Sequence, residues 1–249
     1  MSFIEPKLLE TIFAGFIVAV AFPIGALIAI YVSYSAAKRA LFAAFGAGIF
    51  FAAIMLLTQE SLILGNVLDL VLGFSLGAAT FGLAQNYIRR CKPCTLEERK
   101  VKREKTEGKL SVIGTILDSV PETLFVGIIA ALNEPSLYAA VVVLFLGNIA
   151  TTLEGARIMR NQGTPKREIM RDWLVDFFIV GLAAPLGYFL AGAVSNDILA
   201  IVLSFATGTL IVFIAGELIA RAYRESTGHS EDLAISAGFL IGVILLFVL

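Results

Sequence analysis

Eight apolar runs, each long enough to cross a bilayer, divide this chain at about 8–32, 40–58, 61–87, 111–132, 136–157, 172–194, 197–220 and 232–249. A hydrocarbon core needs roughly 20 residues of helix at 1.5 Å each. Backbone polar groups in lipid must be satisfied within the segment, so runs of this length are helical. The expected fold is an all-α integral membrane protein with eight transmembrane helices, forming one domain over residues 1–249. Composition agrees: 58% of the 249 residues are hydrophobic and mean hydropathy is +0.89, above the range of soluble domains. A net charge of −1 gives no footprint for nucleic acid. The start, "MSFIEPK", lacks the basic n-region of a cleavable signal peptide.

The cations orient the spans. Lys38 and Arg39 follow span 1, and nine Lys/Arg lie between Arg89 and Lys109 after span 3. Arg157, Arg160, Lys166, Arg167 and Arg171 follow span 5, and Arg221 and Arg224 follow span 7. Only Lys7 of the 19 lies on the other side, whose loops read "TQES", "LNEPS" and "VSND". The positive-inside rule then makes the odd-numbered loops cytoplasmic, including the long one at about 88–110, and places both termini outside. The expected location is the cell membrane, multi-pass, and the inner membrane in a bacterium. Trp173, Tyr34, Tyr87 and Tyr223 fall near the cytoplasmic ends, where interfacial anchors belong.

Three short matches recur in order. "AFPIGAL" in span 1 pairs with "AAPLGYF" in span 6, "FGAG" in span 2 with "FATG" in span 7, and "GFSLG" in span 3 with "GFLIG" in span 8. Span 1 runs inward and span 6 outward, so spans 1–3 and 6–8 read as an inverted repeat around spans 4 and 5. Inverted repeats mark transporters, with substrate sites near the midplane.

Six acids fall well inside the spans: Asp69, Asp118, Glu122, Glu154, Asp176 and Glu217. Each such charge costs roughly 2.5–3.5 kcal/mol on insertion scales. Asp176 is close enough to the inner end to reach water. Glu217 has Arg221 four residues on, and Glu154 has Arg157 one turn on. Asp69 fits either a structural or a functional role. Asp118 and Glu122 have no such outlet. Four residues apart, they share a helix face with Ser111 and Thr115. Pro121 tends to free the carbonyl near Leu117. With Ser119, these oxygens make a cation site; the alternative is a protonated pair that bonds helices together. At matching depth, span 5 offers Asn148, Thr151 and Thr152, with Glu154 a turn nearer the cytoplasm as an exit ligand or relay.

The eight spans, the long basic loop after span 3 and "DSVPE" in span 4 resemble the ZIP (Zrt/Irt-like) divalent-metal transporters, over essentially the whole chain. In that family a metal site lies between spans 4 and 5, and one branch reads D-G-x-P-E, matched here at Asp118, Pro121 and Glu122. "GNIATTLEGARIMRNQG" keeps the family's Asn148, Met159, Arg160 and Gly163 in span 5. Ala150 and Thr151 stand where the family has proline and a metal-binding glutamate, and Ala184 stands where it often has a glutamate before Pro185. The resemblance implies a transporter, not an enzyme, with no prosthetic group. Its substrate would be a divalent cation held by Asp118, Glu122 and Asn148, with Ser119, Thr151 and Glu154 as lesser ligands. Oxygen ligands suit Mn²⁺, Mg²⁺, Ca²⁺ or Fe²⁺ better than zinc, which favours His and Cys; Zn²⁺ and Cd²⁺ stay among the ions to test. The alternatives are a proton-coupled transporter of another solute and a non-transporting homologue.

"CKPC" at Cys91 and Cys94 is half of a Cys₄ zinc site, which a homodimer would complete, or an idle thiol pair. His229 lies in the last cytoplasmic loop, among acids that would attract a metal only weakly, and reads as an exposed side chain. The partners expected are the lipid bilayer, the cation and a second copy of the chain.

Overall fold

The computed structural model describes residues 6–89, 96–132, 134–225 and 230–249. Cys91, Cys94 and His229 lie outside them. Among the described residues secondary structure is entirely helical, and eight segments are long and apolar enough to cross a membrane. Span 1 is α1 (Pro6–Ala19) and α2 (Ala21–Tyr31). Spans 2 to 5 are α3 (Ala36–Leu64), α4 (Val67–Arg89), α5 (Leu96–Leu132) and α6 (Leu137–Asn161). Span 6 is α7 (Lys166–Gly181) and α8 (Ala183–Ala193). Span 7 is α9 (Asn196–Phe213), a π-helical turn (Ile214–Ile219) and α10 (Ala220–Glu225); span 8 is α11 (Ser230–Val248).

The two broken spans break alike. Proline has no N–H to give the carbonyl four residues back. Pro23 therefore leaves Ala19 without its helical donor, and the chain turns at Val20. Pro185 leaves Gly181 likewise, and the chain turns at Leu182. Pro121 sits inside α5 without breaking it.

The boundary between spans 2 and 3 differs from the expectation. "TQES" was read as a loop because its polarity ends an apolar run. It is instead helical, and the turn falls at Gly65 and Asn66. The polar side chains are satisfied by distant helices. Ser61 Oγ donates to the Ala200 carbonyl at 3.0 Å and lies 2.5 Å from Ser204 Oγ, and Glu60 accepts from Ser136 Oγ at 2.9 Å.

Asn66 then opens α4 as its cap. Its Oδ1 accepts from the N–H of Leu68 (2.8 Å) and Asp69 (3.4 Å), and Asp69 Oδ2 accepts from the Asn66 N–H at 3.0 Å. This is a reciprocal capping box, and it gives Asp69 a structural role. We expect Asn66→Ala and Asp69→Ala each to cost about 1 kcal/mol in thermal unfolding, with any transport left at its native rate.

The helices pack in two groups. Spans 1, 4, 5 and 6 form one, through α5 on α8, α2 on α6 and α7 on α1 and α2. Spans 2, 3, 7 and 8 form the other, through α4 on α9 and α3 on α11. The groups meet along α3–α6 and α5–α9; within the second group, Phe50, Phe81 and Phe213 stack edge to face. In lipid, helices gain little from apolar burial against one another, so close approach by small residues holds them. At the α5–α8 crossing, a Cβ on Gly127 would lie 1.9 Å from the Ala184 oxygen, and one on Gly187 2.0 Å from the Leu124 oxygen. Spans 5 and 2 are central, with 72% and 67% of their windows buried, whereas spans 3 and 8, at 22% and 17%, are peripheral.

Candidate functional site

The polar stripe of α5 turns inward. Positions 118 and 122 differ by 40° around the helix and 119 by 100°, so one side presents all three. Asp118 is 1% exposed, and Ser119, Glu122 and Thr123 are fully buried. None of the four carboxylate oxygens of Asp118 and Glu122 has a hydrogen-bond partner among the described residues. The two carboxyls act electrostatically on each other.

Ser119 ties this face to α6, its Oγ donating to Asn148 Oδ1 at 3.2 Å. Asn148 is fully buried, and its Nδ2 has no partner among the described residues. The structure therefore brings Ser119 and Asn148 together at the α5–α6 seam and buries Asp118 and Glu122 on the same side of α5. Thr151 is buried too, but its hydroxyl donates to the carbonyls of Gly147 (3.2 Å) and Asn148 (3.1 Å). Thr152 donates to the same Asn148 carbonyl at 2.7 Å. Both threonine hydroxyls serve their own helix, which leaves Thr151 a weaker ligand than its position suggests.

Glu154 lies elsewhere. It is 8% exposed and lines a cavity of about 10 Å³ with Tyr34, Arg39, Phe42 and Ala150, on the side of α6 that faces α3. That is room for about one water molecule. Burial pushes the Tyr34 phenol above its ordinary pKa, and the Arg157 charge pulls the other way. Arg157 itself donates to the carbonyls of Ala29 and Val32 at the end of α2 (both 3.4 Å), and Arg160 donates to Ala29 at 3.0 Å.

Three expectations change. Pro121 was expected to add a carbonyl oxygen to the carboxylates. Leu117 and Pro121 instead line an apolar groove of about 230 Å³ against α4 and α9, about 200° around the helix from Ser119. Trp173 was expected at the interface; it is fully buried and stacked on Phe22 at 6.2 Å. Asp176 was expected to reach water; it is fully buried, with both oxygens lacking a partner among the described residues. Ile169, Trp173, Asp176 and Val180 form one buried face of α7, and the neighbouring charge that acts on Asp176 is Asp172. Glu217 does pair with Arg221 at 2.5 Å, and also accepts from Gln85 Nε2 of α4 at 3.3 Å. Glu60, 5% exposed, is a buried acid that the sequence had hidden in an apparent loop.

The arrangement offers hard oxygen donors. Two buried carboxylates one turn apart on a helix, with no ion-pair partner among the described residues, fit a dication, and Ser119, bonded to Asn148, shares their side of the helix. No cluster of three or more His, Cys, Asp or Glu forms among the described residues, so the donor set is two carboxylates plus neutral groups. In comparisons with known proteins, no family model and no curated protein matches this chain.

Proposed function

We propose that this protein is a ZIP-like transporter that moves a divalent metal cation into the cytoplasm through a site between α5 and α6. One observation carries the reading: four carboxylate oxygens, on Asp118 and Glu122, are buried at membrane depth without a donor among the described residues. Two like charges in one dry site repel each other and each loses its hydration. A dication offsets both costs at once, whereas a monovalent partner offsets them only in part. The donors are all oxygen, which favours Mn²⁺, Mg²⁺ or Fe²⁺.

The orientation proposed keeps the cation-rich loops in the cytoplasm and both termini outside. The proposed inverted repeat draws support from two features. The turns at Val20 and Leu182 each precede a proline by three residues, so "AFPIG" opens α2 and "AAPLG" opens α8. The glycines of the matched motifs also approach neighbouring helices in parallel ways: Gly48 meets Gly238 between spans 2 and 8, and Gly77 and Gly208 meet Phe205 and Phe74 between spans 3 and 7. Alternating access then moves the site-bearing group of spans 1, 4, 5 and 6 against the other group. Glu154, at the α3–α6 seam, stands on the cytoplasmic side of the site as a relay.

A second reading, proton-coupled transport of another solute, gains from Ser119 already engaging Asn148 Oδ1, which leaves two carboxyls fit to carry protons. Reconstitution in liposomes separates the two. We expect uptake of at least one of Mn²⁺, Fe²⁺, Zn²⁺, Cd²⁺ and Mg²⁺, lost in the Glu122→Ala protein. A folded protein that passes none of them overturns the metal reading. Proton flux without any metal dependence would replace it with the second.

A further inference from the structure

A groove of about 550 Å³ opens between α2 and α7, with neither Asp118 nor Glu122 in its lining. Its two ends differ in chemistry. At one end stand Lys166, Arg167, Arg171 and Tyr31; toward the other, Leu27, Met170, Leu174 and Phe178 make an apolar floor. Leu174 and Phe178 are 38% and 56% exposed, so the floor faces the hydrocarbon of the membrane. From Arg167 to Phe178 is roughly 16 Å along a helix axis. The groove thus runs from the interface well into one leaflet.

The rim carries surplus positive charge. Arg171 pairs with Asp172 at 2.7 Å and lies 3.8 Å from Glu168. Among the described residues no carboxylate pairs with Lys166 or Arg167. Lys166 Nζ instead sits 4.8 Å over the Tyr31 ring, which positions the ammonium at the groove mouth by cation–π attraction. Cations, then an aromatic with a hydroxyl, then aliphatic side chains reproduce the depth order of a phospholipid: phosphate, glycerol esters, acyl chains.

We infer that this groove binds one anionic phospholipid, its headgroup on Lys166 and Arg167 and an acyl chain along Leu174 and Phe178. Charge complementarity selects an anionic headgroup over a zwitterionic one. A concave floor, in place of a convex helix surface, turns general interfacial attraction into a site. The bound lipid would join the outer faces of α2 and α7, whose inner faces already meet where Phe22 stacks on Trp173. The inference is independent of the transport reading.

The test uses the full chain, purified in detergent and titrated with phosphatidylglycerol or phosphatidylcholine, with bound lipid counted by native mass spectrometry. The native protein should retain one phosphatidylglycerol where phosphatidylcholine is stripped. At about 5-fold in affinity per interfacial cation, the Lys166→Ala/Arg167→Ala protein should bind roughly 30-fold more weakly. Leu174→Trp, which fills the floor and leaves every charge in place, should also lose the lipid, while Lys38→Ala should not. Circular dichroism and monodispersity show which variants are folded, and any folded one of the rim and floor variants decides the matter. Equal retention of the two lipids overturns the inference, as does unchanged retention in the folded variants. Displacement of the lipid by inorganic phosphate alone overturns it too, since the acyl chain would then contribute nothing.

Discussion

The Glu122→Gln protein is expected to be inactive in metal uptake and, in chelator, more heat-resistant than the native protein. The two effects share a cause. Glu122 is fully buried one turn from Asp118, and no donor among the described residues reaches either carboxylate. An amide of the same shape removes one like charge and its desolvation penalty, a relief on the order of 1–3 kcal/mol. At 2–4 °C per kcal/mol for a chain of this size, the unfolding midpoint should rise by about 2–12 °C. The substrate cation should reverse the order. At a hundred times its Kd it stabilises the native protein by about 2.7 kcal/mol, and the variant by far less. Trp173, the only tryptophan, is fully buried and reports unfolding by its fluorescence. A Gln variant that is less stable in chelator, yet still takes up metal, would contradict the proposed site.

The second large effect concerns packing alone. Gly187→Val should prevent assembly or cost at least about 4 kcal/mol, in the exceptional range for single substitutions. The new Cβ would lie 2.0 Å from the backbone oxygen of Leu124, and no side-chain rotation relieves a clash with backbone. Gly192→Val, five residues along the same helix, meets nothing within 4 Å and should be tolerated. Yields of monodisperse protein, with thermal unfolding of what is recovered, compare the two directly. Equal behaviour would mean that α5 and α8 separate without loss.

How much of this was legible beforehand depends on whether the information was local. The eight spans were, because length and apolarity are properties of one segment. The face shared by Asp118 and Glu122 was, because an i, i+4 spacing fixes it. Asn148 was reached by matching depths, and Ser119 joins it. Glu60 and Ser61 were misread because their partners lie far along the chain: Ser204 is 143 residues from Ser61. Helix in a polar stretch is stable only once those partners are present, and no window of sequence contains them. Trp173 and Asp176 were misplaced for a related reason. Distance from a span's end gives depth along the membrane, but which side of α7 meets Phe22 depends on how α2 folds back beside it. Pro121 was given the right chemistry and the wrong direction, since its side of α5 meets α4 and α9.

The π-helical turn of span 7 constrains the length of the gene as well as its letters. A π turn is an α-helix with one extra residue in the circuit, and here Gly216 and Glu217 meet Gln85 while Glu217 still reaches Arg221. Removing a single residue between Ile214 and Ile219 would restore the ordinary winding and leave α10 in register, but would take away the wide turn that carries Glu217 to Gln85 of α4. Loss of one residue here would thus spare the helix beyond and sacrifice the contact with α4, so descendants of this chain that keep that contact should hold the count constant through this turn even where residue identities drift.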